Sequence, residues 1–261
     1  MDIAIDFTIS AQENAQSYFE RSKKAKAKSE GARRSIVDLK AKLSKAESQK
    51  QQQKSIKVVE KREWFEKFNW FFASDGRLAV GGRSAEQNEE LNSRHFDDKD
   101  LFFHADIFGA SVVILKDGVG SGEQCRNEAA QFAASFSKAW ESLQTTVDVY
   151  SLRKEQVTKS RNTGSLGTGS FLLKGERQWY KSVPLELCAF IEELGQEGKK
   201  RRVVSVAPES ACRHRGIKDG VIISLGKTKK SDAAKLIAKR LLYEDVDYIM
   251  QHIPAGPFRI D

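Results

Sequence analysis

Residues 64–83, WFEKFNWFFASDGRLAVGGR, contain the abrupt change in composition that decides the fold. Six aromatic residues occur between Trp64 and Phe72. Large aromatic side chains bury the most apolar area, so a core position is their most economical explanation, and exposed stacking platforms for bases are the alternative. The SDGR segment at 74–77 predicts a hairpin turn between one strand ending near Ala73 and a second strand, LAVGG.

The sequence before this stretch predicts a long helix from residue 9 to about 62. Ser10 and Glu13 form a capping box at its start. A seam spaced by three and four residues follows, which is typical of a coiled coil. Its first half is built from small residues that bury little area, so we expect it to need a partner helix. The QKQQQK run at 49–54 predicts either a hairpin tip or a frayed connection, and a hairpin would return antiparallel through residues 56–68.

The sequence after this stretch mixes strands and helices without regular alternation. Helices are predicted at 84–96, 123–142, 231–242 (with Ser231 as its cap) and 246–253, and strands at DLFFHAD, SVVILKD, TVDVYSL, GSFLLKG, RVVSVAP and GVIISLG. This pattern predicts an α+β fold with a mixed sheet and packed helices, preceded by the helical coiled-coil segment. We expect a helical arm at 1–60 and a globular domain at 61–261.

Charge is concentrated in two segments of a chain whose net charge is +8. Residues 11–63 hold 15 Lys and Arg against 7 Asp and Glu, and residues 199–230 hold 10 against 2. Two separate basic segments favour a polyanion partner, RNA or DNA, over a solvated helix face and a loop. The apolar runs are shorter than the roughly 18 residues of a membrane span. Three widely spaced cysteines and no visible secretory signal predict reduced thiols and a cytoplasmic location.

Few residues suggest catalysis or metal binding. His104 and Asp106 share a predicted strand face, where such a pair could orient a base, but the sequence names no nucleophile. No pair of Cys or His residues has zinc-ligand spacing, so neither metal nor cofactor is predicted. The glycines of NTGSLGTGSF at 162–171 could form an anion nest or turns with positive φ. That loop lacks the lysine of a nucleotide-binding loop.

Three motifs in this order carry a resemblance to a known family. They are WFEKFNWFFASDGRLAVGGRSAEQNE, DLFFHADIFGAS and QVTKSRNTGSLGTGSFLLKG. Over about residues 60–175 they resemble the RNA-binding domain of the NFACT family, and the helix before them resembles that family's coiled coil. The segment from residue 209 to IPAGPF resembles archaeal members.

The resemblance implies a binding factor, not an enzyme. Members of the family bind the large ribosomal subunit carrying a stalled nascent chain, recruit tRNA and act in ribosome-associated quality control. Full-length members also carry an NFACT-N domain that this sequence lacks, so we expect either a fragment or a short member, with that domain possible in a separate chain.

Two positions depart from the family pattern: Ser84 follows GGR where an acid is usual, and Phe108 replaces a second His. A binding surface tolerates such changes better than a reaction centre does. The predicted nucleic-acid-binding residues are Arg83, Asn88, His104, Asp106, Lys159, Lys174, Lys199, Lys200, Arg201 and Arg202. Because two glycines precede Arg83, we expect its side chain to point outward to phosphate and to contribute little to stability.

Two alternatives of other classes stay open at this point. One is a nucleic-acid-processing enzyme that uses His104 and Asp106. The other is a coiled-coil scaffold whose globular domain binds protein. Turnover lost in His104→Ala would favour the first, and association insensitive to nuclease would favour the second.

The two basic segments predict a steep salt dependence of RNA affinity. Each phosphate contact contributes roughly one unit or slightly less to the slope of log K against log salt. Affinity measured by fluorescence anisotropy should therefore fall steeply between low and moderate salt. A flat response would contradict nucleic-acid binding.

Overall fold

The chain comprises two compact units, Met1–Arg62 and Glu63–Asp261. The computed structural model describes residues 4–54, 62–161, 164–165, 167–195 and 200–261. The α-helices are α1 (Ala11–Lys54), α2 (Ala85–Arg94), α3 (Glu123–Ser135), α4 (Lys138–Glu141), α5 (Glu209–His214), α6 (Lys230–Leu241) and α7 (Val246–His252). Short 3-10 helices lie at Trp64–Lys67, Gly118–Gly120 and Lys154–Gln156.

The strands belong to the second unit. They are β1 (Asn69–Phe72), β2 (Leu78–Gly81), β3 (Leu101–Ala105), β4 (Val112–Leu115), β5 (Thr146–Leu152), β6 (Val157–Thr158), β7 (Ser160–Arg161), β8 (Gly164–Ser165), β9 (Leu172–Leu173), β10 (Gln178–Pro184), β11 (Glu186–Leu194), β12 (Arg201–Ala207), β13 (Val221–Thr228) and β14 (Phe258–Ile260).

In the first unit, α1 begins with the predicted capping box. Ser10 N donates to Glu13 Oε2 at 2.8 Å, and Glu13 N donates to Ser10 Oγ at 3.2 Å. Every described side chain from Ala11 to Lys40 is exposed except the half-buried Asn14. The predicted hairpin tip at 49–54 is wrong: the helix continues to Lys54, because Gln and Lys are good helix formers. Of the predicted antiparallel return at 56–68, residues 56–61 lie outside the described residues, and Trp64–Lys67 form a 3-10 helix.

The second unit is built on a six-stranded sheet with the order β1-β2-β4-β3-β5-β10. Its strand pairs are antiparallel, as are those of a four-stranded sheet with the order β12-β11-β13-β14. The predicted hairpin joins β1 to β2, with Gly76 at φ 87° in its turn. β1 and β10 are therefore the two edges of the larger sheet, and β10 carries a register shift between Tyr180 and Val183.

Alternation along the strands gives the larger sheet an apolar core on each face. Phe103 of β3 packs with α3 in one core, whereas its neighbour Phe102 lies in the other. Both rings are almost fully buried, because successive side chains in a strand point to opposite faces. Val203 of β12 joins the Phe102 core and Val204 joins the Phe103 core, so the second sheet contributes to both.

The predicted α+β class is confirmed, with several local differences. The expected mixed sheet is antiparallel, because tight hairpins can join antiparallel neighbours but not parallel ones. The single helix predicted at 123–142 is two helices, since Ser137 Oγ donates to Ala134 O at 2.7 Å and then caps α4 by accepting from Ala139 N. Lys229, not Ser231, is the N-cap of α6. The sequence prediction missed β10, β11, β14 and α5.

Among the described residues, every helix is either too short or too polar to cross a membrane.

The exposure of α1 predicts an uneven pattern of hydrogen exchange. Its amides lack the buried apolar cover that protects β3 and β11, so they should exchange fastest after the chain termini. Mass-spectrometric exchange on the purified monomer measures this directly. Equal protection in α1 and in the β3 strand would mean that α1 has a dedicated packing partner.

Candidate nucleic-acid interface

The GGR turn positions Arg83 against the first strand of the sheet. Arg83 Nε donates to Asn69 Oδ1 at 3.0 Å, and a terminal nitrogen of its guanidinium donates to Phe68 O at 2.6 Å. The side chain is half-buried, and that burial lowers the pKa of its guanidinium. The expectation that Arg83 points outward is therefore wrong, because its guanidinium turns toward two oxygens at the start of β1, the backbone O of Phe68 and the side-chain Oδ1 of Asn69. Its contact with phosphate stays a prediction.

Gly82 and Asn88 connect α2 to the sheet. A Cβ on Gly82 would lie 2.2 Å from Asn88 Oδ1, so only glycine lets the helix approach this closely. The same Asn88 oxygen accepts from Val112 N of β4 at 3.1 Å. Ser84 caps α2 by accepting from Gln87 N. The side-chain oxygen of Asn88 is thus engaged within the fold.

His104 and Asp106 occupy different environments. His104 is half-buried at the end of β3, where its Nδ1 lies 3.3 Å from Tyr150 Oη, and burial lowers the pKa of its imidazole. Asp106 is exposed just beyond β3, and its backbone N–H donates to Asp148 O at 2.8 Å. The negative charge of Asp106 opposes the drop in the pKa of His104. The His104 ring also lies parallel to that of Phe102, with 6.2 Å between the ring centroids.

The glycine-rich loop lies against α2. Gly169 has φ 73°, and a Cβ on it would lie 2.8 Å from Ala85 Cα. Its amide donates to Glu89 Oε2 at 3.1 Å, and Lys159 forms an ion pair with the same carboxylate, which holds the pKa of Glu89 below its usual value. The positive-φ turn, not the anion nest, is the alternative that this geometry favours at Gly169.

The remaining predicted cations differ in their exposure. Lys174, Lys200 and Arg202 are exposed. Lys200 forms an ion pair with Glu193, with 3.2 Å between Lys200 Nζ and Glu193 Oε2. Arg201 is half-buried and pairs with the buried Glu66 at 2.5 Å. Lys199 lies outside the described residues.

The sequence prediction missed a row of cationic and aromatic side chains along β10. We call it the β10 ladder: Arg177, Trp179 and Lys181, with Tyr150 of β5 beneath them. Arg177 Cζ lies 4.5 Å from the Tyr150 ring centroid, and Lys181 Nζ lies 4.2 Å from that of Trp179. The Trp179 and Tyr150 rings meet edge to face at 5.4 Å. Arg177 immediately precedes β10, and its spacing of two residues from Trp179 and of four from Lys181 predicts side chains on one face. The alternation of cationic and aromatic residues in RQWYK is the sequence signal for this row.

The β10 ladder adjoins a polar groove of about 840 Å³ between β10 and α3. Arg126 lines its α3 side, where its guanidinium donates to Ser121 O at 2.5 Å. His104 lies beside the ladder, with 5.8 Å between its ring centroid and that of Tyr150. Aromatic rings interleaved with cations suit a single-stranded nucleic acid, which offers both base faces and phosphates. Among the described residues, no group of three or more His, Cys, Asp or Glu could hold a metal ion.

Comparison with known proteins agrees with this chemistry. Residues 67–175 match the family model described as the NFACT protein RNA binding domain. The chain belongs to the NFACT family. The resemblance seen in the sequence is thereby confirmed, and the matched segment of this NFACT chain includes Tyr150 and ends two residues before Arg177.

Two relatives of the NFACT chain are named as ribosome quality control factors or their homologs. The ribosome quality control complex subunit NEMF homolog of Drosophila melanogaster is 35% identical over 71% of this chain, and the archaeal Rqc2 homolog aRqcH of Methanocaldococcus jannaschii is 32% identical over 77%. The chain spans only 19% and 30% of those proteins.

Among solved structures, the C-terminal part of the fibronectin/fibrinogen-binding protein from Streptococcus suis is 26% identical. The matched region covers 50% of this chain and 49% of the Streptococcus suis chain, with a TM-score of 0.40.

The position of Arg83 predicts a stability defect. Arg83→Ala removes two hydrogen bonds from a charged donor and leaves Phe68 O without its donor, so the free energy of unfolding should fall by about 1.5–3 kcal/mol. Urea denaturation measures this loss. Arg83→Lys should restore only part of it, because an ammonium lacks the planar donor fork.

The exposed Arg202→Ala is the matched control, and its free energy of unfolding should stay within about 0.5 kcal/mol of the parent chain. Normal stability with lost RNA binding in Arg83→Ala would contradict the structural role and restore the original prediction for this residue.

Proposed function

We propose that this chain is an RNA-binding module of ribosome-associated quality control, acting in the cytoplasm on the large ribosomal subunit and on tRNA. The observation that carries the proposal is the β10 ladder, which places an exposed ammonium, a half-buried guanidinium and a half-buried indole at one edge of the sheet. Membership of a family whose matched segment is an RNA binding domain supports it. So do relatives whose names are those of ribosome quality control factors.

In this proposal the two units have separate roles. The globular unit binds RNA, and the basic helix α1 extends the contact or docks a partner helix. A separate NFACT-N domain is a possible further partner. The predicted RNA contacts at Lys159, Lys174 and Lys200–Arg202 remain part of the proposal, with Lys174 and Arg202 the most accessible of those that the structure describes.

The chemistry is binding without turnover. His104 serves as an aromatic neighbour of Tyr150, and burial favours its neutral form, which donates one hydrogen bond and accepts one. We assign neither His104 nor Asp106 a catalytic role. In the pathway proposed here, the ribosome forms the peptide bond.

The test is co-sedimentation with purified large ribosomal subunits, combined with RNA titrations at several salt concentrations. Arg177→Gln together with Lys181→Gln removes two cations from the β10 ladder. We expect weaker association and a salt slope smaller by about one to two units, since each lost phosphate contact contributes slightly less than one.

Lys235→Gln together with Arg259→Gln is the matched control, because it removes two exposed cations distant in sequence from the ladder. It should leave the slope unchanged. Equal losses in both double variants would show a nonspecific effect of net charge. Association that survives nuclease and both double variants would favour the protein-scaffold alternative, and RNA cleavage lost in His104→Ala would favour the enzyme.

A further inference from the structure

Phe108 is the most exposed large apolar side chain of the globular unit among the described residues, at 91%. It lies in the loop between β3 and β4, next to Ile107, which packs on the core. The loop contributes Ile107 to the interior and leaves the neighbouring aromatic ring in solvent. Core packing therefore does not account for a phenylalanine at this position.

The loop is held in one shape by its neighbours. Gly109 adopts φ 73°, and a Cβ there would lie 2.9 Å from Lys138 Cε, so the aliphatic part of Lys138 lies directly on the loop. Lys138 Nζ is 5.7 Å from the Phe108 ring centroid. The ring thus has a cation beside it while most of its surface stays accessible.

The same end of the sheet carries the β10 ladder. Asp106 N donates to Asp148 O at 2.8 Å, and the Asp148 carboxylate pairs with Lys181 Nζ at 2.8 Å. A short hydrogen-bonded path therefore leads from the Phe108 loop to Lys181. A nucleic acid lying along β10 would reach this loop at the end of the strand.

We propose that Phe108 is a stacking platform for an unpaired nucleobase, with Lys138 beside it on a neighbouring phosphate, so that the loop selects single-stranded or looped RNA over duplex. The inference rests on the proposed RNA-binding function and names the substrate class. A base inside a duplex is already stacked on both faces, whereas an unpaired base offers a free face to an aromatic ring. A flat ring with an adjacent cation satisfies the base and the backbone together.

The test compares the affinity for a 12-nucleotide single-stranded RNA with that for a 12-base-pair RNA duplex, by fluorescence anisotropy on the full chain. Phe108→Ala and Phe108→Leu should each weaken single-strand binding about tenfold, a loss within the range for one base–aromatic stack. Phe108→Trp should bind at least as well as the parent. Affinity for duplex should change less than about twofold in all three variants.

Phe7→Ala is the matched control, since Phe7 is 94% exposed in the helical unit. It should leave both affinities within about twofold of the parent. Lys138→Met keeps the aliphatic stem against Gly109 and removes the charge, so it should reduce the single-strand salt slope by about 0.7. Thermal melting of each variant should match the parent, because the Phe108 ring is exposed.

Unchanged single-strand affinity in Phe108→Ala, or equal losses on single strand and duplex, would overturn the inference. Full binding by Phe108→Leu would also overturn it, because an aliphatic side chain supplies apolar area without a ring. A parent chain that binds duplex but not single strand would overturn the inference while the proposed function stands. A parent chain that binds neither RNA would overturn both.

Discussion

The Arg83 guanidinium, held between Phe68 O and Asn69 Oδ1, is the interaction on which the first half of the globular unit depends. It connects the entry into β1 to the turn between β2 and α2, two segments that the chain brings together through one hairpin. The Gly82–Asn88 contact extends this connection to β4. Three motif residues thus fix the helix, the hairpin and the sheet relative to one another: Arg83 and Asn88 through hydrogen bonds, and Gly82 through its lack of a side chain.

The motif residues that hold the fold together are therefore different from the residues that are accessible to a ligand. Arg83, Asn88 and Gly169 make close contacts within the protein, and a ligand would have to displace those contacts to reach them. The β10 ladder and Phe108 lie in the opposite part of the sheet, toward β3, β5 and β10, where Lys181 and the Phe108 ring are exposed and Trp179 is half-buried. Motif residues can therefore matter for RNA binding through the shape they impose, without touching RNA.

Much of the fold could be predicted from the sequence. The aromatic run, the SDGR turn and the alternation in DLFFHAD predicted β1, β2 and β3 correctly, because each has a short-range cause. β11 was missed because its strand ends in IEEL, whose charges obscure the apolar pattern. The break at Ser137 was missed because a hydroxyl that bonds to a carbonyl one turn earlier leaves no sign in hydrophobic periodicity. For the candidate site, the residue types were predictable but the direction of Arg83 was not, since it depends on which backbone oxygens lie within reach after folding.

The most direct measurement is hydrogen exchange of the full chain with and without a saturating single-stranded RNA. The account predicts slower exchange at 177–183 and 107–110 on RNA binding, with the amides of Asn69, Gly82 and Asn88 already protected and unchanged. New protection at 81–88, with residues 177–183 unaffected, would contradict it and move the interface to the GGR turn.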